Sequence, residues 1–141
     1  MNRKGAKGAK NIAGERKWIE HIGMIVVDSA IRVHRELGPG LLESAYQACL
    51  AFELRAVGFE VLCEKTLPVA YRRILIDVGY RMDMVVENSV VIENKAVEKL
   101  LPIHEAQLLT YLKISGYRLG FLLNWHVNLM KDGIKRMVLD L

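Results

Sequence analysis

The chain has 141 residues, which suits one domain and leaves little room for a second. Hydrophobic residues make up 52% and charged residues 26%, a balance that excludes a disordered or collagen-like chain and supports a core that needs neither disulfides nor structural metal. The net charge of +4 is concentrated at the start: residues 1–17 hold six cations and one anion, and the other 124 residues hold 14 cations and 15 anions.

That first stretch, MNRKGAKGAKNIAGERK, is rich in Gly, Ala and Lys with few apolar residues. It is expected to be a basic flexible tail ahead of a single domain over residues 18–141, adding either loose polyanion affinity or only solubility. No apolar stretch of a secretory signal follows it, and no run approaches the roughly 18 residues of a membrane span. Cys49 and Cys63 lie far apart with no CxxC pair, which argues for a reduced, cytoplasmic protein, against a zinc ribbon, and for two small core residues.

Along the chain, Ile19, Ile22, Val26, Ala30, Val33 and Leu37 recur at three- and four-residue steps. This predicts a helix from Trp18 to Leu37 with one buried stripe, stopped by Gly38-Pro39-Gly40. A second helix is expected from about Leu42 to Val57, with Ala45, Tyr46, Cys49, Leu50 and Leu54 inward and Gly58 as its stop. The pattern then changes to period two. Candidate strands lie within Phe59–Val69 and at Ile74–Val78, separated by the basic turn Tyr71-Arg72-Arg73. Two further strands, Tyr80–Val86 and Val90–Lys95, flank the turn Glu87-Asn88-Ser89. Pro102 opens a third helix that ends at Gly116; Leu119–Asn124 reads as a buried strand, and Lys131-Asp132-Gly133 as a turn before a last strand, Ile134–Leu139. This order predicts an α/β fold: a mixed sheet covered by helices.

The hairpin around Glu87-Asn88-Ser89 carries the chemistry. A three-residue loop pairs Val86 with Val90 and therefore Asp83 with Glu93, placing two carboxylates directly opposite one another. Lys95 shares the Glu93 face, because side chains alternate along a strand, while Asn94 points to the other. Two carboxylates and an amine suit a hard cation such as Mg²⁺, with Lys95 positioning a water or offsetting charge on a phosphate. The bland alternative is a pair of strand carboxylates matched with surface cations, but Met84, Val85, Val86, Val90, Val91 and Ile92 make both strands read as buried, where charges need partners or a metal.

Gly40-Leu41-Leu42-Glu43-Ser44-Ala45-Tyr46 matches a G-x-x-E-x-x-Y signature. With His34–Gly40 before it and Ile92–Leu100, His104–Leu112 and Lys131–Arg136 after it, the chain resembles the GxxExxY family of the PD-(D/E)XK nuclease-like superfamily over about Ile19–Leu139. The resemblance implies a restriction-endonuclease-like core, Glu43 as the helix acid, Asp83 as a metal-binding aspartate, Glu93-x-Lys95 as the (D/E)xK element, and Gln107 and Tyr111 bordering the site. Asn94 stands where family members often carry an apolar residue. Each added residue has a structural alternative. Glu43 sits in a first helical turn that favours a carboxylate, Tyr46 reads as core with a hydroxyl partner or as site lining, and Gln107 and Tyr111 are one turn apart and able to bond to each other. His34, four residues before Gly38, reads as satisfying a helix end, and His21, His104 and His126 show no HExxH-type zinc spacing.

Two functions follow. One is a Mg²⁺- or Mn²⁺-dependent phosphodiesterase on DNA or RNA, with Asp83 and Glu93 holding the ion and Lys95 assisting the attacking water. The other is a non-catalytic binding or regulatory module on the same fold, which the near-neutral body favours. Nucleic acid is the expected partner and a membrane is not; a protein partner or a homo-oligomer remains open.

Overall fold

Helix α1 runs from Ala9 to Leu37 in the computed structural model, which describes residues 9–141. It therefore begins well inside the stretch expected to be a flexible tail. Ala, Lys, Glu and Arg are good helix formers, and a helix nucleated by a buried stripe extends at one hydrogen bond per residue without needing an apolar face. Arg118 reaches the Glu15 carboxylate at 3.7 Å along this extension. The remainder of the expected tail, residues 1–8, lies outside the described residues. Ile19, Ile22, Val26, Ala30 and Val33 are buried as their spacing predicts, whereas Leu37, at the last turn where the chain leaves the body, is exposed.

Gly38 and Gly40 both adopt left-handed backbone angles, φ +69° and +105°, which a side chain would disfavour. They swing the chain into α2 (Glu43–Ala56), whose Tyr46, Leu50, Ala51 and Leu54 pack under α1. The Tyr46 hydroxyl clasps the link, donating to the Gly38 carbonyl and accepting from the Leu41 N–H at 3.1 Å.

The five-stranded sheet has the order β1 (Val61–Thr66), β4 (Arg81–Val86), β5 (Val90–Lys95), β6 (Leu119–Asn124), β7 (Ile134–Val138). Strands β4 and β5 pair antiparallel with Val86 opposite Val90 and Met84 opposite Ile92, the register that the three-residue loop requires. Strands β5 and β6 pair in parallel and are joined through α3 (Pro102–Ser115), as parallel neighbours need a crossover. Between β1 and β4 the chain makes a separate two-stranded hairpin, β2 (Val69–Tyr71) and β3 (Ile74–Ile76). The two candidate strands read around Arg72-Arg73 are thus not neighbours in the main sheet: β1 pairs with β4, where Val61 meets Val86 in the core.

Both faces are covered. Met84, Val86, Val90, Ile92, Leu119, Phe121 and Leu123 pack against α1 and α2. Val85, Val91 and Leu122 pack against Leu108, Tyr111 and Leu112 of α3. Strands buried on both sides read as continuous apolar runs, which is why β5 and β6 look as they do in the sequence. Cys49 is half-buried against the first core, but Cys63 is exposed on the edge strand β1, not a core residue as expected. No helix among the described residues is long and apolar enough to cross a membrane.

Gly133 closes a 3₁₀ turn (Met130–Gly133) before β7, and a Cβ there would collide with the Asn124 carbonyl oxygen. Gly133→Ala is expected to destabilise the fold by about 2–3 kcal/mol in chemical denaturation. Gly120→Ala should be milder, because its methyl meets only the Leu108 side chain, at 3.0 Å.

Candidate active site

The β4–β5 register places Asp83 opposite Glu93, one step beyond the Met84–Ile92 pair. There the ladder changes character, and carboxylates replace main-chain acceptors. The Asp83 N–H donates to Glu93 Oε2 at 2.8 Å, and the Asn94 N–H donates to Asp83 Oδ2 at 2.8 Å. Met82 belongs to the α3-side core and Met84 to the α1–α2 core, so the alternation of β4 breaks at Asp83. Each carboxylate is anchored through one oxygen by the neighbouring strand.

Glu93 is 4% exposed. Burial, and then the Asp83 charge beside it, push its carboxyl up to about 8, against the opposing pull of the Asp83 N–H and the Lys95 ammonium. Asp83 is raised mainly by burial, and the Asn94 N–H and Lys95 again act in the opposite direction. Lys95 is the cation that both carboxylates feel. Tyr111 on α3 is buried; burial and the charges of Glu93 and Asp83 raise its hydroxyl. Gln107, one turn before Tyr111, acts on its hydroxyl in the opposite direction, and Tyr111 borders the carboxylates as well.

Glu43, the first residue of α2, accepts the Ala96 N–H at 3.1 Å and so docks the helix start on the chain just past Lys95. Its charge reaches Asp83. Tyr46 does not line this site: its ring lies in the α1–α2 core, stacked on Trp125 at 4.8 Å between centroids. Three residues past Glu43 on a helix, a large ring turns into the packing interface, and its hydroxyl is taken by the Gly38–Leu41 link.

Three supporting residues escape a sequence reading. Glu64 on β1 falls between the Cys63–Met84 and Lys65–Met82 pairs, and hence opposite Asp83. It has φ +57°, and its charge acts on both Asp83 and Glu93. Gln47, one turn after Glu43, donates to Glu64 Oε2 at 3.0 Å and accepts from Asn94 Nδ2 at 3.2 Å. Asn94, on the face away from the carboxylates as alternation predicts, also accepts the Trp125 Nε1–H at 2.9 Å. Asn124 holds the segment after Lys95, donating to the Val97 carbonyl at 2.9 Å and accepting the Val97 N–H at 3.1 Å. The sequence signal for Gln47 is its four-residue step from Glu43; Glu64 has none without the β1–β4 pairing.

Among the described residues, no three or more His, Cys, Asp or Glu side chains form a ready metal cage. Two adjacent carboxylates fit a different kind of site, in which a hard cation takes one or two protein oxygens and completes its shell with water and phosphate. Mutual repulsion and burial, both visible in the raised Glu93 carboxyl, are what such a charge relieves.

Residues 20–137 match the PD-(D/E)XK nuclease superfamily, and the chain belongs to it. The five-stranded mixed sheet flanked by helices is consistent with the restriction-endonuclease-like fold of that superfamily, whose nucleases generally depend on a divalent metal. No curated protein and no solved structure gives a match.

An ordinary glutamate ionises near 4.5 and folded Glu93 near 8. Between these values the unfolded chain releases a proton that the folded chain keeps, so rising pH favours unfolding. In EDTA, the melting temperature is expected to fall between pH 5 and pH 8, and Glu93→Gln should remove most of that fall. Parallel melting curves of the two proteins across this range provide the check.

Proposed function

We propose that this chain is a metal-dependent phosphodiesterase that cleaves nucleic acid, and we assign it, on Gly40, Glu43 and Tyr46, to the GxxExxY group within its superfamily. The observation that carries the reading is the facing pair of half-buried Asp83 and buried Glu93, anchored through main-chain N–H groups, with Lys95 acting on both. Asp83 and Glu93 hold a Mg²⁺ or Mn²⁺ ion through the oxygens that the N–H groups leave available. When bound, the ion supplies an electrophile for the phosphate and an acidified water.

The remaining work belongs to the protein. Lys95 Nζ orients the attacking water and offsets the negative charge that grows on the phosphate oxygens as the water oxygen bonds to phosphorus and an ester P–O bond breaks. Glu43, tied to the Ala96 N–H, keeps the chain after Lys95 in place and supports the water network. Tyr111 and Gln107 wall the α3 side.

A non-catalytic binding module on the same fold is the second reading. It is favoured by a body that, outside residues 1–17, carries 14 cations against 15 anions, whereas nucleases usually present a basic groove.

Cleavage assays with Mg²⁺ and Mn²⁺ on single- and double-stranded DNA and RNA separate the two. Lys95→Ala should lower turnover by about 10²–10³ and keep the metal-induced rise in melting temperature, because Lys95 is not an ion ligand. Glu93→Ala should lose both. Asp83→Asn should abolish the metal-induced rise in melting temperature, which in the wild type reflects a stabilisation of about 2.7 kcal/mol at 100 times the dissociation constant. A wild type that binds nucleic acid tightly but cleaves none of these substrates decides for the binding module.

A further inference from the structure

The β2–β3 hairpin has no role in the core. Every residue from Ala70 to Arg81 is exposed, and the two strands form a sheet of their own. A two-stranded ribbon alone in water is marginally stable at best. Yet this one displays Tyr71, Ile74, Leu75, Val78 and Tyr80, each more than 45% exposed. Its tip is also unfavourable. Arg72 and Arg73 have φ +50° and +68°, the left-handed pair of a tight hairpin turn that Asn-Gly fills with least strain. Two non-glycine residues held there strain the backbone, and among the described residues neither arginine forms a salt bridge. Arg72 lies over the Tyr71 ring at 5.5 Å, within the hairpin itself.

Position and charge say what the hairpin is for. It continues the same two strands that carry Glu64 and Asp83: β1 and β4 are last paired at Thr66–Arg81, just past the carboxylates, and the hairpin follows directly. Its tip lies six residues beyond Thr66, a reach of at most about 20 Å at 3.3 Å per residue, comparable to six base-pair steps. Residues 65–81 hold four cations, Lys65, Arg72, Arg73 and Arg81, and one anion, Asp77, whose Oδ1 is engaged by the Gly79 N–H at 3.0 Å. This surplus of three positive charges stands out on a body with slightly more anions than cations. At the base, Tyr80 meets Tyr111 with ring centroids 6.3 Å apart, joining the hairpin to the residue that borders Asp83 and Glu93.

We propose that the β2–β3 hairpin is an arm that grips a nucleic-acid strand and leads it across the carboxylate pair, with Arg72 and Arg73 on phosphates and Tyr71 and Tyr80 as stacking surfaces for bases. The proposal rests on the nucleic-acid reading of the site. The hairpin adds a cluster of positive charge to a chain that, outside residues 1–17 and 65–81, has 10 cations against 14 anions. Guanidinium groups at a tip reach phosphates without sequence preference, and exposed aromatic faces accept any base. Strain at the tip is then explained by use.

The test is the double variant Arg72→Asn/Arg73→Gly in the full chain. Binding to fluorescent 20-mers of single- and double-stranded DNA and RNA is measured by anisotropy in EDTA over a salt series. The variant is expected to bind about tenfold more weakly or worse, with the slope of log K against log salt reduced by about 1.4–1.8, as for two lost phosphates. Its melting temperature should be unchanged or higher, because Asn-Gly suits the turn; a merely structural tip would not combine these results. Equal affinity and equal slope in variant and wild type overturn the arm, whether or not the wild type cleaves with Mg²⁺. Absence of binding by the wild type to every oligonucleotide overturns it as well. So does sedimentation showing a wild-type dimer that Leu75→Asp dissociates while nucleic-acid affinity is retained, since the hairpin then serves self-association. Arm-dependent binding by a wild type that does not cleave upholds the arm and defeats only the assigned chemistry.

Discussion

Glu93 keeps an ionisable carboxyl almost wholly out of water beside a second carboxyl, and the architecture around it is the set of arrangements that make this tolerable. A buried charge needs partners, and two like charges need something between them. Main-chain N–H groups of Asp83 and Asn94 supply part of the answer by leaving the β4–β5 ladder and donating to side chains. Lys95, two residues along the same strand, supplies another part. What remains is the elevated Glu93 carboxyl itself, raised by burial and by the Asp83 charge beside it. Perturbed groups of this kind gather where proteins do chemistry.

Seen from the carboxylates, the G-x-x-E-x-x-Y segment works as one mechanical part. Gly40 turns the chain, Glu43 ties the start of α2 to the Ala96 N–H, and Tyr46 fastens the α1–α2 link through its hydroxyl while its ring fills the core against Trp125. One turn after Glu43, Gln47 connects Glu64 to Asn94, and Asn94 in turn holds the Trp125 indole N–H. A polar chain with its partners matched in this way is rigid and specific. It runs from the largest fully buried side chain of the α1–α2 core to the edge of the site, so the position of α2 and the geometry of the carboxylates are set together.

Three of the six non-glycine residues with left-handed backbone among the described residues, Glu64, Arg72 and Arg73, lie on β1 or the hairpin that extends it; Glu87 and Asn88 form the β4–β5 turn and Asp140 follows β7. Proteins break local rules most readily where function demands it. The regular centre of the sheet provides rigidity, and the edge beside it provides reach.

Local chemistry made much of this legible in the sequence. Period and punctuation placed α2, β5, α3 and β6 within a residue or so, because each is strongly patterned and bounded by glycine, proline or a turn. The Asp83–Glu93 pairing was legible for the same reason: a three-residue loop leaves one register, and parity does the rest. What escaped depends on contacts between distant parts of the chain. Glu64 joins the carboxylates only because β1 pairs with β4 across an intervening hairpin, a closure no local pattern specifies. Tyr46 was legible as a core residue with a hydroxyl partner, but that its ring stacks on Trp125, far along the chain, was not. The start of α1 at Ala9 follows from helix propagation, which composition alone read as a loose tail. The sequence by itself determined the elements and the one register closed by a short turn; the tertiary structure decided which strand lies beside which, since that depends on where long-range burial is greatest.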